Sequence, residues 1–114
     1  MYSKETMEHA KQAILHQRVH QALKWRVSKV KHGGYIRRLG GRYTDQDVIA
    51  QLIKQDVQCA VCRIGLDDNK WHIDHCHING YVRGLLCVSC NIWLGMWELR
   101  IKSAAEYINA KAQD

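Results

Sequence analysis

No run of apolar residues in this chain approaches the roughly 18 needed to cross a bilayer, and the opening stretch, MYSKETMEHAKQ, lacks the apolar segment of a secretory signal. The expectation is a cytoplasmic protein with no membrane contact, where reduced cysteines bind metal rather than form disulfides. Proline is absent throughout, and glycine is absent from Lys4 to Lys31, so that stretch predicts one long helix. Acids are scarce in residues 1–43, where Glu5 and Glu8 stand against Lys4, Lys11, Arg18, Lys24, Arg26, Lys29, Lys31, Arg37, Arg38 and Arg42. Residues 44–114 have more acids than bases. That asymmetry predicts either a polyanion-binding surface or a solvated helix face. At 114 residues the chain is one small domain, which buries about two-thirds of its unfolded surface, so a structural metal would stabilise it considerably.

Leu15, Val19, Ala22, Leu23 and Val30 recur at helical steps and form a loose apolar stripe on the first helix. His32–Tyr43 then breaks the pattern with two Gly pairs around Tyr35, Arg37 and Arg38, a basic loop suited to phosphate contacts or to plain turns. Thr44 or Asp45 caps a second helix, DQDVIAQLIKQD, with Val48, Ile49, Leu52 and Ile53 on one face. After the cysteines, NIWLGMWELR predicts a helix and SAAEYINAKAQ a further one capped by Ser103. Trp93, Leu94, Trp97, Leu99, Ile101, Tyr107 and Ile108 are expected in the core. The chain thus divides into a basic helix and Gly-rich loop, 1–43, and a core, 44–114.

Cys59-x-x-Cys62 and Cys87-x-x-Cys90 are two matched knuckles, the spacing of a tetrahedral four-thiolate zinc site. A redox pair or disulfides are the alternatives. Zinc held by four thiolates has no open position for water or substrate, so it staples and does not catalyse. The histidines crowded between the knuckles in WHIDHCHINGYVRGLLCVSCN therefore need a separate explanation. WHIDHCHI and YVRGLLC read as the strands of a hairpin turning at Asn79-Gly80, and Asn91 opens the helix that follows. In that strand-strand-helix unit Asp74 and His75 can face Asn91. Asp74 and Asn91 offer oxygen ligands, which suit magnesium or manganese. His75 is placed to deprotonate a water, and His77 to donate to a phosphate oxygen. His72 is a supporting residue or a DNA contact. Cys76, pointing away by strand alternation, is a small buried hydrophobe. Any one of these histidines, taken alone, is more simply a packing or surface residue.

The segment DHCHINGYVRGLLCVSCNIWLG resembles the recombination endonuclease VII branch of the HNH, or ββα-metal, nucleases. The pattern is met by Cys59, Cys62, Asp74, His75, His77, Val82, Arg83, Gly84, Leu85, Leu86, Cys87, Cys90, Asn91, Leu94 and Gly95. The resemblance implies an α+β fold with a small zinc-stapled ββα-metal (His-Me finger) core and flanking helices. It implies structural zinc on Cys59, Cys62, Cys87 and Cys90, a catalytic Mg2+ or Mn2+ on Asp74 and Asn91, a general base at His75 and phosphate contacts from His77. DNA is the implied substrate, cut to 3′-hydroxyl and 5′-phosphate ends, by enzymes that are often phage-encoded and act as dimers. Residues 1–43 would then be a DNA-binding arm, with Arg26, Lys29, Lys31, Arg37, Arg38, Arg42 and Arg83 as backbone contacts. The rival readings are a zinc-stabilised DNA-binding module without catalysis and a packaging accessory protein. The basic segment here precedes the core and only a short tail follows it, so a homodimer does not carry over directly.

Overall fold

The computed structural model describes residues 1–27, 37–38, 41–76 and 80–112, with the side chains of Arg37, Arg38, Lys111 and Ala112 left aside. Val30, Lys29, Lys31, His77 and Asn79 lie outside the described residues. Helix α1 runs Lys4–Lys24, and its N-cap Ser3 accepts from the Thr6 amide, which satisfies one of the helix's open donors. Its second half carries the apolar stripe inward: Val19 and Ala22 are buried, and Leu15 and Leu23 pack beside them. Arg18, off the stripe, is turned to Asp67 at 3.2 Å and Asp56 at 3.5 Å.

The sequence predicts helix as far as Lys31, but α1 stops at Lys24. The chain there pairs with another segment instead. The Val27 amide donates to the Trp71 carbonyl at 2.9 Å, and the Trp71 amide to the Trp25 carbonyl at 3.3 Å. Trp71 is fully buried, and its indole donates to the Ala22 carbonyl at 2.7 Å. A long-range ladder and an aromatic anchor, both invisible to local periodicity, end the helix.

Strands β1 (Arg37–Arg38) and β2 (Gly41–Arg42) pair antiparallel and lead into α2, Asp45–Lys54. Of the two expected caps it is Thr44 that closes α2, in a capping box with Asp47. Val48 and Leu52 are buried, whereas Ile53, expected on the same face, is exposed. Asp56 and Val57, both at φ 54°, then reverse the chain toward Cys59.

Strands β3 (Trp71–His75) and β4 (Val82–Cys87) form the antiparallel hairpin. Beyond the strands the Cys76 amide donates to the Tyr81 carbonyl and the Gly80 amide to the Cys76 carbonyl, both at 2.8 Å. Gly80 stands at φ 76°, a left-handed conformation that glycine adopts at no steric cost. Trp71, Ile73, Leu85 and Leu86 join α1, α2 and Tyr43 in a single core, so the basic segment and the cysteine region share one apolar centre.

Helix α3 follows β4 without a break and runs Val88–Ala112. Two helices were expected here, the second capped by Ser103. The structure has one, with Gly95 and Ser103 inside it. A mid-helix glycine costs only about 1 kcal/mol relative to alanine, and the flanking residues are good helix formers. The expected burial of this segment is also overturned: Trp93, Trp97, Leu99, Ile101, Tyr107 and Ile108 are all exposed, Leu99 to 69%. Leu94 alone of that set packs against the core. The architecture is α+β, and no helix among the described residues is long and apolar enough to cross a membrane.

Candidate functional site

The four cysteines come from two places that the fold brings together. Cys59 and Cys62 lie on the turn after α2, held by the Cys59 amide on the Ile64 carbonyl at 2.8 Å and the Arg63 amide on the Cys59 carbonyl at 3.0 Å. Cys87 ends β4 and Cys90 lies in the first turn of α3. All four sulfurs fall within 4.8 Å of one another. The Cys62 and Cys87 sulfurs are 3.8 Å apart, which matches the edge of about 3.8 Å in a zinc tetrahedron with bonds of about 2.3 Å. The thiols differ in acidity. Burial raises Cys59, but hydrogen bonds from the backbone of Cys62, Cys87 and Val61 outweigh it and bring the thiol down to about 7. Cys90 is pushed up to about 12, first by burial and then by the neighbouring sulfurs, and burial likewise raises Cys87. Four thiolates cannot share this space unless a cation neutralises them, and the donor set fits zinc.

The second site begins with an irregularity in the hairpin. Asp74 pairs with Gly84 and His75 with Val82, so Arg83 is an extra residue in β4. Such a bulge re-aims a side chain. Arg83 reaches back across the hairpin and grips Asp74 in a two-toothed bond, Nε to Oδ2 at 2.8 Å and Nη2 to Oδ1 at 3.1 Å. Asp74 is 7% exposed, the one charged residue buried among those described. A buried carboxylate needs such a partner. The third side of the guanidinium donates to Glu98 on α3, and the two acids hold Arg83 above even its ordinary high pKa, Asp74 first, against the opposing effect of burial. Asn91, Glu98, Arg83 and Cys76 line one cleft of about 860 Å³, walled on its α3 side by Ile92, Gly95, Met96 and Leu99.

A buried carboxylate beside a histidine, on a hairpin that two cysteine pairs tie to the following helix, is an arrangement that can be compared with known families. The sequence model of recombination endonuclease VII matches residues 36–110. The chain belongs to the recombination endonuclease VII family. No curated protein and no solved structure matches it. Membership places the chain among DNA-cleaving nucleases. The endonuclease VII match takes in both cysteine pairs, the hairpin and nearly all of α3, and leaves α1 outside.

Within this endonuclease VII framework, Arg83 is bonded to Asp74 and lines the cleft that Asn91 also lines, and His75 follows Asp74 at the bulge. His75 and His72 are half-buried, and burial lowers the pKa of His72. Cys76, expected to be buried, is half-exposed and lines the cleft. The basic residues expected to touch DNA divide. Arg26 is largely buried and donates to Asp45 at 3.0 Å, Arg83 is engaged as above, and Arg42 is exposed. Arg37 and Arg38 are described only as backbone in β1. Sequence reasoning missed Glu98. It stands seven residues after Asn91 on α3, two turns along the same face, and that spacing was the available signal.

Proposed function

We propose that this chain is a metal-dependent DNA endonuclease of the HNH type, with zinc stapling the four cysteines and a divalent ion acting between Asp74 and Asn91. The observation that carries this reading is Asp74, a buried carboxylate next to His75 in sequence, whose partner Arg83 lines the same cleft as Asn91. Carboxylate and amide oxygens suit Mg2+ or Mn2+, and the guanidinium on Asp74 indicates that the position favours a cation. When bound, such an ion neutralises charge that develops on the phosphodiester. His75 takes the proton of the attacking water on an imidazole nitrogen. His77 and His72 are proposed to contact phosphate oxygens. Arg42, with Lys29, Lys31, Arg37 and Arg38, is proposed to hold the DNA backbone from the N-terminal segment, and Arg26 and Arg83 do so only if released from their acidic partners. The setting proposed is cytoplasmic, that of the host if the gene is carried by a phage.

Incubation with plasmid and magnesium tests the proposal. Wild-type protein is expected to nick or linearise the plasmid, and both EDTA and Asp74→Asn to stop it. Protein that binds plasmid in magnesium yet leaves it intact would favour the non-catalytic DNA-binding or packaging module. Running a synthetic four-way junction beside linear duplex identifies the preferred DNA structure.

The exposed face of α3 supports self-association. The Trp93 and Trp97 rings stack at 5.7 Å on this helix, and Ile101 and Ile108 continue their row at helical spacing. A 25-residue helix spans about 37 Å, long enough to pair with a second copy of itself. An apolar face of this extent supports an interface with a second copy. We expect sedimentation to show a dimer for the wild type and a folded monomer for Trp97→Glu; a monomeric wild type would refute the homodimer.

A further inference from the structure

We propose that Arg83 is a resident counter-ion that competes with the divalent ion for Asp74, and that Glu98 sets the strength of that competition. The proposal rests on the nuclease reading, and it assigns Arg83 and Glu98 roles as positioning residues. Three observations support it. The first is the geometry of the pair. Both oxygens of Asp74 are occupied by the planar fork of one guanidinium, so a second cation at that carboxylate meets a positive charge only a few ångströms away. The second is the difference in exposure. The Asp74 side chain is 9% exposed, enclosed by the hairpin, whereas Arg83 is 38% exposed at the wall of a cleft. The partner that yields to an incoming ion is therefore the arginine. The third is the destination. Glu98, itself half-exposed, already accepts from the remaining side of the guanidinium. It keeps Arg83 paired when the guanidinium leaves the Asp74 oxygens to a metal, and so lowers the cost of release.

The competition gives opposite signs for two substitutions, which packing effects alone would not do. Mn2+ binding to zinc-loaded protein is measured without DNA, by the electron paramagnetic resonance signal of free Mn2+ or by calorimetry, with Asp74→Asn defining the loss of the site. Arg83→Gln is expected to tighten Mn2+ binding about tenfold, since it removes a half-exposed positive charge next to the ligand. Glu98→Gln is expected to weaken binding several-fold, because Arg83 then relies on Asp74 alone. In the double variant the Glu98 effect should vanish, leaving the affinity of Arg83→Gln. Arg83→Lys keeps the charge but loses the fork, and should lie between Arg83→Gln and the wild type; it serves as the test if Arg83→Gln fails to fold. Unchanged or weaker Mn2+ binding in the Arg83 variants overturns the proposal while leaving the nuclease reading intact. An equal Glu98 effect in both backgrounds overturns the role of Glu98 through Arg83. Wild-type Mn2+ affinity in Asp74→Asn overturns this inference and the assignment of the ion to Asp74 together.

Discussion

Cys87→Ser is expected to unfold the chain. Cys87 is 7% exposed and Cys59 1%, so these two are part of the core as well as walls of the proposed zinc cage. Structural zinc contributes an apparent 10–16 kcal/mol, roughly, in small zinc domains at neutral pH, and a domain's whole stability is about 5–15 kcal/mol. Removing one of four ligands therefore threatens the entire fold rather than a local loop. The cage joins the turn after α2 to the β4–α3 junction, so its loss also frees the helix that carries Asn91. Circular dichroism alongside zinc analysis checks this. Wild-type protein should hold one zinc per chain and lose its helical signal when a strong chelator strips it. A Cys87→Ser protein that is well folded without zinc would contradict the structural role.

His75→Ala is expected to reduce cleavage by about 100- to 10,000-fold, the usual worth of a positioned general base, while leaving DNA affinity nearly unchanged. The separation follows from placement. His75 is on the hairpin beside Asp74, whereas the backbone contacts proposed for binding are in the N-terminal segment. Single-turnover cleavage and a binding titration in calcium, on the same preparation, report the two quantities independently. Cleavage by His75→Ala at the wild-type rate would remove His75 from the mechanism.

The parts of this structure that could be read from the sequence are those with short-range signatures. Two Cys-x-x-Cys pairs announced a cysteine cluster, the β-compatible stretches either side of Asn79-Gly80 announced the hairpin, and Thr44 or Asp45 announced the start of α2. Contacts between distant segments were hidden. The end of α1 at Lys24 is decided by Trp71, forty-odd residues on, and the grip of Arg83 on Asp74 depends on a bulge that no local pattern signals. The largest error, placing Trp93, Trp97 and Leu99 in the core, has a physical cause. Apolarity says that a side chain favours burial but does not say against which molecule, and a helix that is apolar on several sides can satisfy it with a second chain. Glu98 was passed over for a related reason, since its meaning appears only once α3 lies across the hairpin.

The outer edge of β4 has one more consequence. Leu85 turns its amide and carbonyl outward there; the side-chain amide of Gln55 engages both, at 2.9 Å each, and the Ala60 amide also donates to the carbonyl at 3.1 Å. Exposed strand edges are where proteins stick to one another indiscriminately. With Gln55 and Ala60 covering Leu85, a further strand finds no free backbone groups at that residue, and any pairing between copies would fall to side chains, whose shape can choose the companion.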